Sequence, residues 1–178
     1  MIARVTLLCA AVLALGACNK GADGNAATAG NQAEPASAKG TLSDVLARPD
    51  ATRFAAAVRS VGMEPVLKGP GPYTLLLPTD AAMNAAGDLG TDKAKLARLL
   101  SNHVLPGTIT VADVAKAIAA HGGKAQLATM AGTTLTATRQ GDAIRLTGPG
   151  GAATVTDAEE VFGNGVVHRI DGVLQPAR

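Results

Sequence analysis

Hydrophobic positions divide this chain into three regimes. Val5 to Leu15 is almost continuously apolar, with Arg4 the one cation before it. That run matches the roughly 7–15 residues of a secretory leader's apolar region and falls short of the ~20 needed to span a bilayer. From Asn19 to Gly40 there is no Val, Ile, Leu, Met or aromatic residue. Such a stretch has nothing to bury and is expected to stay disordered, averaging roughly 25 Å end to end by the ~5–6 Å × √n rule. The boundaries that follow are a leader over 1–17, a tether over 18–40 and one folded domain over 41–178.

From Thr41 the apolar positions become periodic. Thr41-Leu42-Ser43-Asp44 predicts an N-cap opening a short helix through Leu46. Asp50 is expected to cap a second helix, with Phe54, Val58 and Val61 on one face and Gly62 as its stop. Gly69–Pro72 reads as a turn and Tyr73–Leu77 as a buried strand. Thr79 or Asp80 then caps a helix to about Ala86. Further helices are expected over Lys93–Leu100 and from Thr110 to near His121. After Gly123 the rhythm drops to period two. Leu135 and Ala137 alternate with Thr134, Thr136 and Thr138, Gly141-Asp142 forms a hairpin turn, and Ile144 and Leu146 follow. Gly148–Gly151 punctuates, Thr154–Thr156 is another strand, and Gly165–Leu174 carries the last ones. Helices first and a meander afterwards argue for an α+β fold, not a doubly wound sheet.

Composition narrows the core. Hydrophobic residues make up 47% of the 178, but 37 residues are alanine, so packing falls to 19 Leu, 14 Val and 5 Ile. A net charge of +2, without blocks of like charge, argues against an electrostatic nucleic-acid binder. Phe54, Tyr73 and Phe162 are the aromatics and there is no Trp, which leaves almost nothing for bases to stack on. Both cysteines, Cys9 and Cys18, lie in the first 18 residues. The domain is therefore expected to fold without a disulfide.

Leu15-Gly16-Ala17-Cys18, closing the apolar run, resembles the lipobox of bacterial lipoproteins. The resemblance implies that Cys18 is diacylated and becomes the mature N-terminus. Two or three acyl chains anchor stably where one does not, each buried methylene contributing roughly 0.8 kcal/mol. Asn19, rather than Asp, implies transit to the outer membrane under the Gram-negative sorting rule.

Three further segments resemble the fasciclin (FAS1) domain family. Tyr73–Met83, with Pro78-Thr79-Asp80, is similar to the family's first motif. Asn102-His103-Val104-Leu105-Pro106-Gly107 is similar to its Tyr-His-Val-x-Pro-Gly segment. Asn164-Gly165-Val166-Val167-His168-Arg169-Ile170-Asp171-Gly172-Val173-Leu174 is similar to its second motif. The resemblance covers about residues 41–176. It implies a wedge-shaped β-sandwich flanked by helices, and a cell-surface module acting in adhesion or matrix contact. Thr79, Asp80, His103, Asn164, His168 and Asp171 are the motif positions that bear on adhesion or on folding. Asn102 stands where the family has tyrosine. Arg169 replaces a small apolar residue, which predicts a wetter face on the last strand.

Catalytic chemistry finds little support in these residues. His103, His121 and His168 share no ligand spacing, so neither metal nor cofactor is expected. His121 suits a helix C-terminus, and His103 and His168 read as satisfied core polar groups. Ser43, Ser60 and Ser101 lie outside Gly-x-Ser-x-Gly. Asp157, Glu159 and Glu160 read as a solvated acidic loop. The chain is thus expected to be a lipid-anchored binding module of the envelope, not an enzyme, meeting a protein or glycan or a second copy of itself. The rival is a periplasmic carrier of a small ligand, which calls for an enclosed apolar cavity above ~300 Å³.

Overall fold

The computed structural model describes residues 40–156 and 159–176. The leader, Cys18, nearly all of the tether and Asp157 lie outside the described residues.

The domain opens with a 3-10 helix, Leu42–Ala47, closed at its start by Asp44, whose carboxylate accepts from the Thr41 N–H at 3.0 Å. Helices α1 (Thr52–Val61) and α2 (Glu64–Lys68) follow, and Gly62 ends α1 in the left-handed conformation at φ 74°. Strand β1 (Tyr73–Pro78) leads into α3 (Asp80–Ala85) and α4 (Lys93–Ser101). Then come β2 (Val104–Pro106) and α5 (Val111–Ala120). Six strands complete the chain: β3 (Lys124–Ala128), β4 (Thr134–Gln140), β5 (Ala143–Gly148), β6 (Gly151–Thr154), β7 (Glu160–Phe162) and β8 (Gly165–Ile170).

Two four-stranded sheets result. One is mixed, in the order β2-β1-β8-β7, with β1 and β8 parallel; the other is the antiparallel meander β3-β4-β5-β6. Period two on a strand sends alternate side chains to opposite faces, and on β1 and β8 both faces are buried. Leu75, Leu77 and Val167 pack with Phe54, Leu42 and Leu100 under the helices. Leu76 and Ile170 point the other way, into a second core with Leu135, Leu146, Val114 and Ile118. The mixed sheet is therefore the shared wall between a helical layer and a sandwich, an α+β arrangement. Every aromatic in contact with a core lies on the helical side. The sandwich core is wholly aliphatic.

Several expectations need correction. Asp50 does not cap α1, because Ala51 occupies that position and a carboxylate from another helix supplies the cap. The strand placed at Thr154–Thr156 runs instead over Gly151–Thr154, with Val155 forming a single bridge to Ile170. Gly148 and Gly151 are partners in the β5–β6 hairpin and not mere punctuation. Of the acidic loop, Glu160 belongs to β7, and Glu159 accepts from the Val111 N–H at the start of α5 at 2.9 Å. Arg169 is not on a wet face: its side chain is 19% exposed and pairs with Asp50 and with Glu160.

Candidate functional site

Thr79 and Asp80 stand at the same strand-to-helix junction and cap different helices. Thr79 Oγ1 accepts from the Ala82 N–H at 3.2 Å, closing the start of its own helix α3. Asp80 reaches back to α1, where Oδ1 accepts from the Arg53 N–H at 2.9 Å and Oδ2 from the Thr52 hydroxyl at 2.5 Å. These bonds, the Thr52 hydroxyl foremost, hold the Asp80 carboxyl below its ordinary range. The Pro-Thr-Asp sequence thus fixes three elements at one corner.

His103 and Asn102 grip the end of the chain. The His103 ring is fully buried and lies edge-on to Phe54, with ring centres 6.3 Å apart. Its Nδ1–H donates to Leu99 O at 2.9 Å, and Nε2 accepts from the Leu174 N–H at 3.1 Å. A backbone N–H can only donate, so this pairing selects the neutral tautomer with its proton on Nδ1. Burial agrees, pushing the pKa down to about 4. Asn102 donates from Nδ2 to Leu174 O at 2.7 Å, and its Oδ1 accepts from Thr129 and Thr133. Both backbone groups of Leu174 are taken by adjacent side chains. Asn102, where the resembled family has tyrosine, is thus a working member of the latch.

Asn164 performs a similar task at the other end of the fold. Its Oδ1 accepts from the Leu42 N–H at 2.8 Å, and Nδ2 donates to Leu67 O at 2.8 Å and Gly69 O at 2.9 Å. Gly165 follows it because a Cβ there would collide with the Tyr73 carbonyl across the parallel β1–β8 pair. Asp171 accepts from the Thr154 N–H at 2.6 Å and returns a backbone bond to Thr154 O at 3.1 Å, tying the two sheets together.

His168 differs. Its Nε2 meets Ile109 O at 2.7 Å, so that nitrogen carries the proton. Its Nδ1 is buried without a partner among the described residues. The ring lines a slot between the sheets together with Thr74, Leu76, Ile109, Val114 and Leu146. The slot's volume is about 20 Å³, room for one water molecule.

Sequence reasoning missed one constellation. Arg48 meets Glu160 through two parallel bonds, one at 2.5 Å, while its guanidinium lies 6.0 Å from the centre of the Phe162 ring. Arg169 joins the pair and extends it to Asp50. The Arg48 guanidinium holds the Glu160 carboxyl below its ordinary range. No local spacing foretells this cluster, since its members come from both ends of the domain. Among the described residues no hydrogen bond joins a serine to a histidine: Ser43 bonds Thr41, Ser60 bonds Ala57 O, and both nitrogens of the His103 ring are held by backbone.

The motif side chains therefore form staples at element junctions, spaced through the chain as a fold signature would be. The fasciclin domain profile matches residues 49–176. The chain belongs to the fasciclin domain family. Protein sll1483 of Synechocystis sp. is 34% identical over 128 residues, covering 68% of this chain and 64% of that protein. Stabilin-1 of Mus musculus is 29% identical over 150 residues, covering 80% of this chain and 6% of its own length. Transforming growth factor-beta-induced protein ig-h3 of Sus scrofa is 32% identical over 126 residues, covering 68% and 17% respectively. The chain thus spans only a part of each of these relatives. Among solved structures, the FAS1 domain pair of the insect cell adhesion molecule Fasciclin I aligns with a TM-score of 0.58 at 26% identity. That alignment covers 70% of this chain and 45% of that one.

Proposed function

We propose that this fasciclin domain is a contact module of the bacterial envelope, anchored through lipid on Cys18 and acting by binding without catalysis. One observation carries the reading: the motif side chains are engaged in hydrogen bonds that join elements of the domain, so recognition falls to the rest of its surface. The likeness to a cell adhesion molecule supports it. The lipobox-like Leu15–Cys18 and the apolar run before it support the anchor. Carriage of a small ligand is less well supported. The slot between the sheets holds about 20 Å³, against the ~300 Å³ a ligand pocket needs. Larger hollows, of about 590, 700 and 650 Å³, are open grooves on the surface.

The test is Cys18→Ser in the full chain. The variant is expected to leave the membrane fraction, and cells that carry it in place of the wild-type protein are expected to lose cell–cell contact. Retention of the serine variant in the detergent phase overturns the anchor. Contact that is equal with and without the displayed protein overturns the binding role.

A further inference from the structure

Residues 172–176 run where a fifth strand of the meander would lie, without forming one. Just before them the chain pairs antiparallel with the end of β6 and the residues after it. The Thr156 N–H donates to Arg169 O at 2.9 Å, Val155 bridges Ile170, and Asp171 exchanges two bonds with Thr154. Beyond Asp171 the two segments stay in touch. A Cβ on Gly172 would stand 2.6 Å from Ala152 O, and one on Gly150 would stand 2.7 Å from Gln175 O. Yet among the described residues no backbone hydrogen bond joins 172–176 to β6. The segment covers the outer edge of β6 as a strap, not as a strand.

The strap is fastened at Val173 and Leu174. Their side chains enter the helical and the sandwich core respectively, and the Leu174 backbone is received by Asn102 and by His103 Nε2. That last bond carries a chemical condition. The Leu174 N–H can only donate, so a proton on Nε2 sets donor against donor. Rotating the ring does not repair this, because both nitrogens of an imidazolium are donors and Nδ1 already serves Leu99 O. Nor does a neighbouring acid answer the charge. The helix α1, which sets Phe54 against the ring, carries Arg53 and Arg59, and α4 carries Lys93, Lys95 and Arg98; all five are exposed cations. Strand β1, whose Leu76 N–H donates to His103 O, carries Tyr73 at its start. Residues 129–133, beside Asn102, hold no charge, and on the strap side Asp171 is exposed and bonded to Thr154.

We infer that residues 172–176 form an acid-released strap: protonation of His103 at Nε2 frees Leu174, the chain swings out from Gly172, and the outer edge of β6 is laid open with the seats of Val173 and Leu174. The proton comes from water once Leu174 has lifted, and the open form keeps it. At neutral pH the strap covers a strand edge that is otherwise a template for pairing with another chain. This switch goes beyond the contact role proposed above and does not rest on it. The closed ring takes a proton only near pH 4, against an ordinary 6.5. Opening is therefore favoured by about ten-fold for each pH unit from 6.5 down to 4, and levels off below that.

Hydrogen exchange of the full chain carrying Cys18→Ser, read at single amides from pH 7 to 3.5 and corrected for the intrinsic rate, tests this. The Leu174 amide is expected to exchange about ten-fold or more faster than those of Leu75 and Val167 at every pH, and to speed up with acid as above. Low urea should barely change its rate while accelerating the core amides, because lifting the strap exposes little surface. In His103→Gln, whose amide keeps a donor for Leu99 O and an acceptor for the Leu174 N–H, the acid response should vanish. Asp171→Asn and His168→Leu should each retain it. Where the glutamine variant does not fold, the wild-type rates and these two variants decide. The switch is overturned if Leu174 shares the rate and urea dependence of Leu75 and Val167, since the strap then opens only with the whole domain. It is equally overturned if the acid response survives in His103→Gln or is lost in Asp171→Asn or His168→Leu.

Discussion

His103 and His168 occupy the two sides of the mixed sheet and are almost equally buried, at 0% and 4% exposure. Around His103 every polar atom is spent, since both ring nitrogens and the adjacent Asn102 amide hold backbone of Leu99 and Leu174. Around His168 one nitrogen is bonded and the other has no partner among the described residues. The difference shows that burial alone does not measure what a histidine contributes. A buried polar group stabilises only as far as its partners are supplied, and an unpartnered one carries a desolvation cost. His103 is thus bonded at both nitrogens by its own chain, whereas His168 leaves one nitrogen to the slot between the sheets, which has room for one water molecule.

The sharpest way to break this comparison is His103→Ala. The change removes a packed ring against Phe54 and leaves the Leu174 N–H without its partner, while Leu99 O keeps only its bond from the Asn102 N–H. Loss of a large ring and of two buried bonds is expected to cost about 3–5 kcal/mol. Against a typical stability of about 5–15 kcal/mol, that is a large share of what holds the domain folded. Urea titration reads this directly. A cost near 1 kcal/mol would mean that the C-terminal latch is held by packing and the hydrogen bonds are incidental.

Acid sharpens the same contrast at a somewhat smaller magnitude. His103 has a folded pKa of about 4 against an ordinary 6.5, so the unfolded chain takes up a proton that the folded chain refuses. Its contribution is fully present above pH 6.5 and is lost as pH falls through 4. The slope approaches about 1.4 kcal/mol per pH unit and the total is about 3 kcal/mol. Asp80 and Glu160 are held below their ordinary range, so their contributions fade only at lower pH. Stability should therefore decline in two stages, the first set by a neutral base and the second by carboxylates. In His103→Gln the first stage should vanish. Its persistence in that variant would assign it to another group.

What was legible in the sequence follows from the range of each interaction. Gly62, the Thr110–Asp113 box and the alternation of Leu135, Ala137, Ile144 and Leu146 are local signals, and the structure places them where the sequence did. Asp50 was misassigned because Asp80, its competitor for the α1 cap, lies 28 residues beyond Thr52 and is joined to it only by folding. The Arg48–Glu160 pair spans 112 residues and left no trace in any window. Short β2 and β7 carry too few residues for a period to show. Motif resemblance named the staple residues, but only coordinates reveal that His103, Asn164 and His168 are buried while Asp171 is exposed.

The smallest effect is expected at His168, and there the substitution chosen matters most. His168→Leu keeps most of the side-chain volume, removes the orphaned Nδ1 and loses one bond to Ile109 O. The lost bond leaves a buried carbonyl unpaired, at a cost of about 1–3 kcal/mol. Relief of the desolvated nitrogen and a better fit to the aliphatic slot offset much of that. A net change of about 1 kcal/mol follows, equivalent to a few degrees in melting temperature for a domain of this size. His168→Ala removes the same bond, enlarges the cavity and should cost clearly more, by about another 1–2 kcal/mol. The ordering decides the matter. If leucine proves as damaging as alanine, Nδ1 is satisfied by a water in the slot. If leucine is nearly neutral, the histidine at this position is not retained for stability.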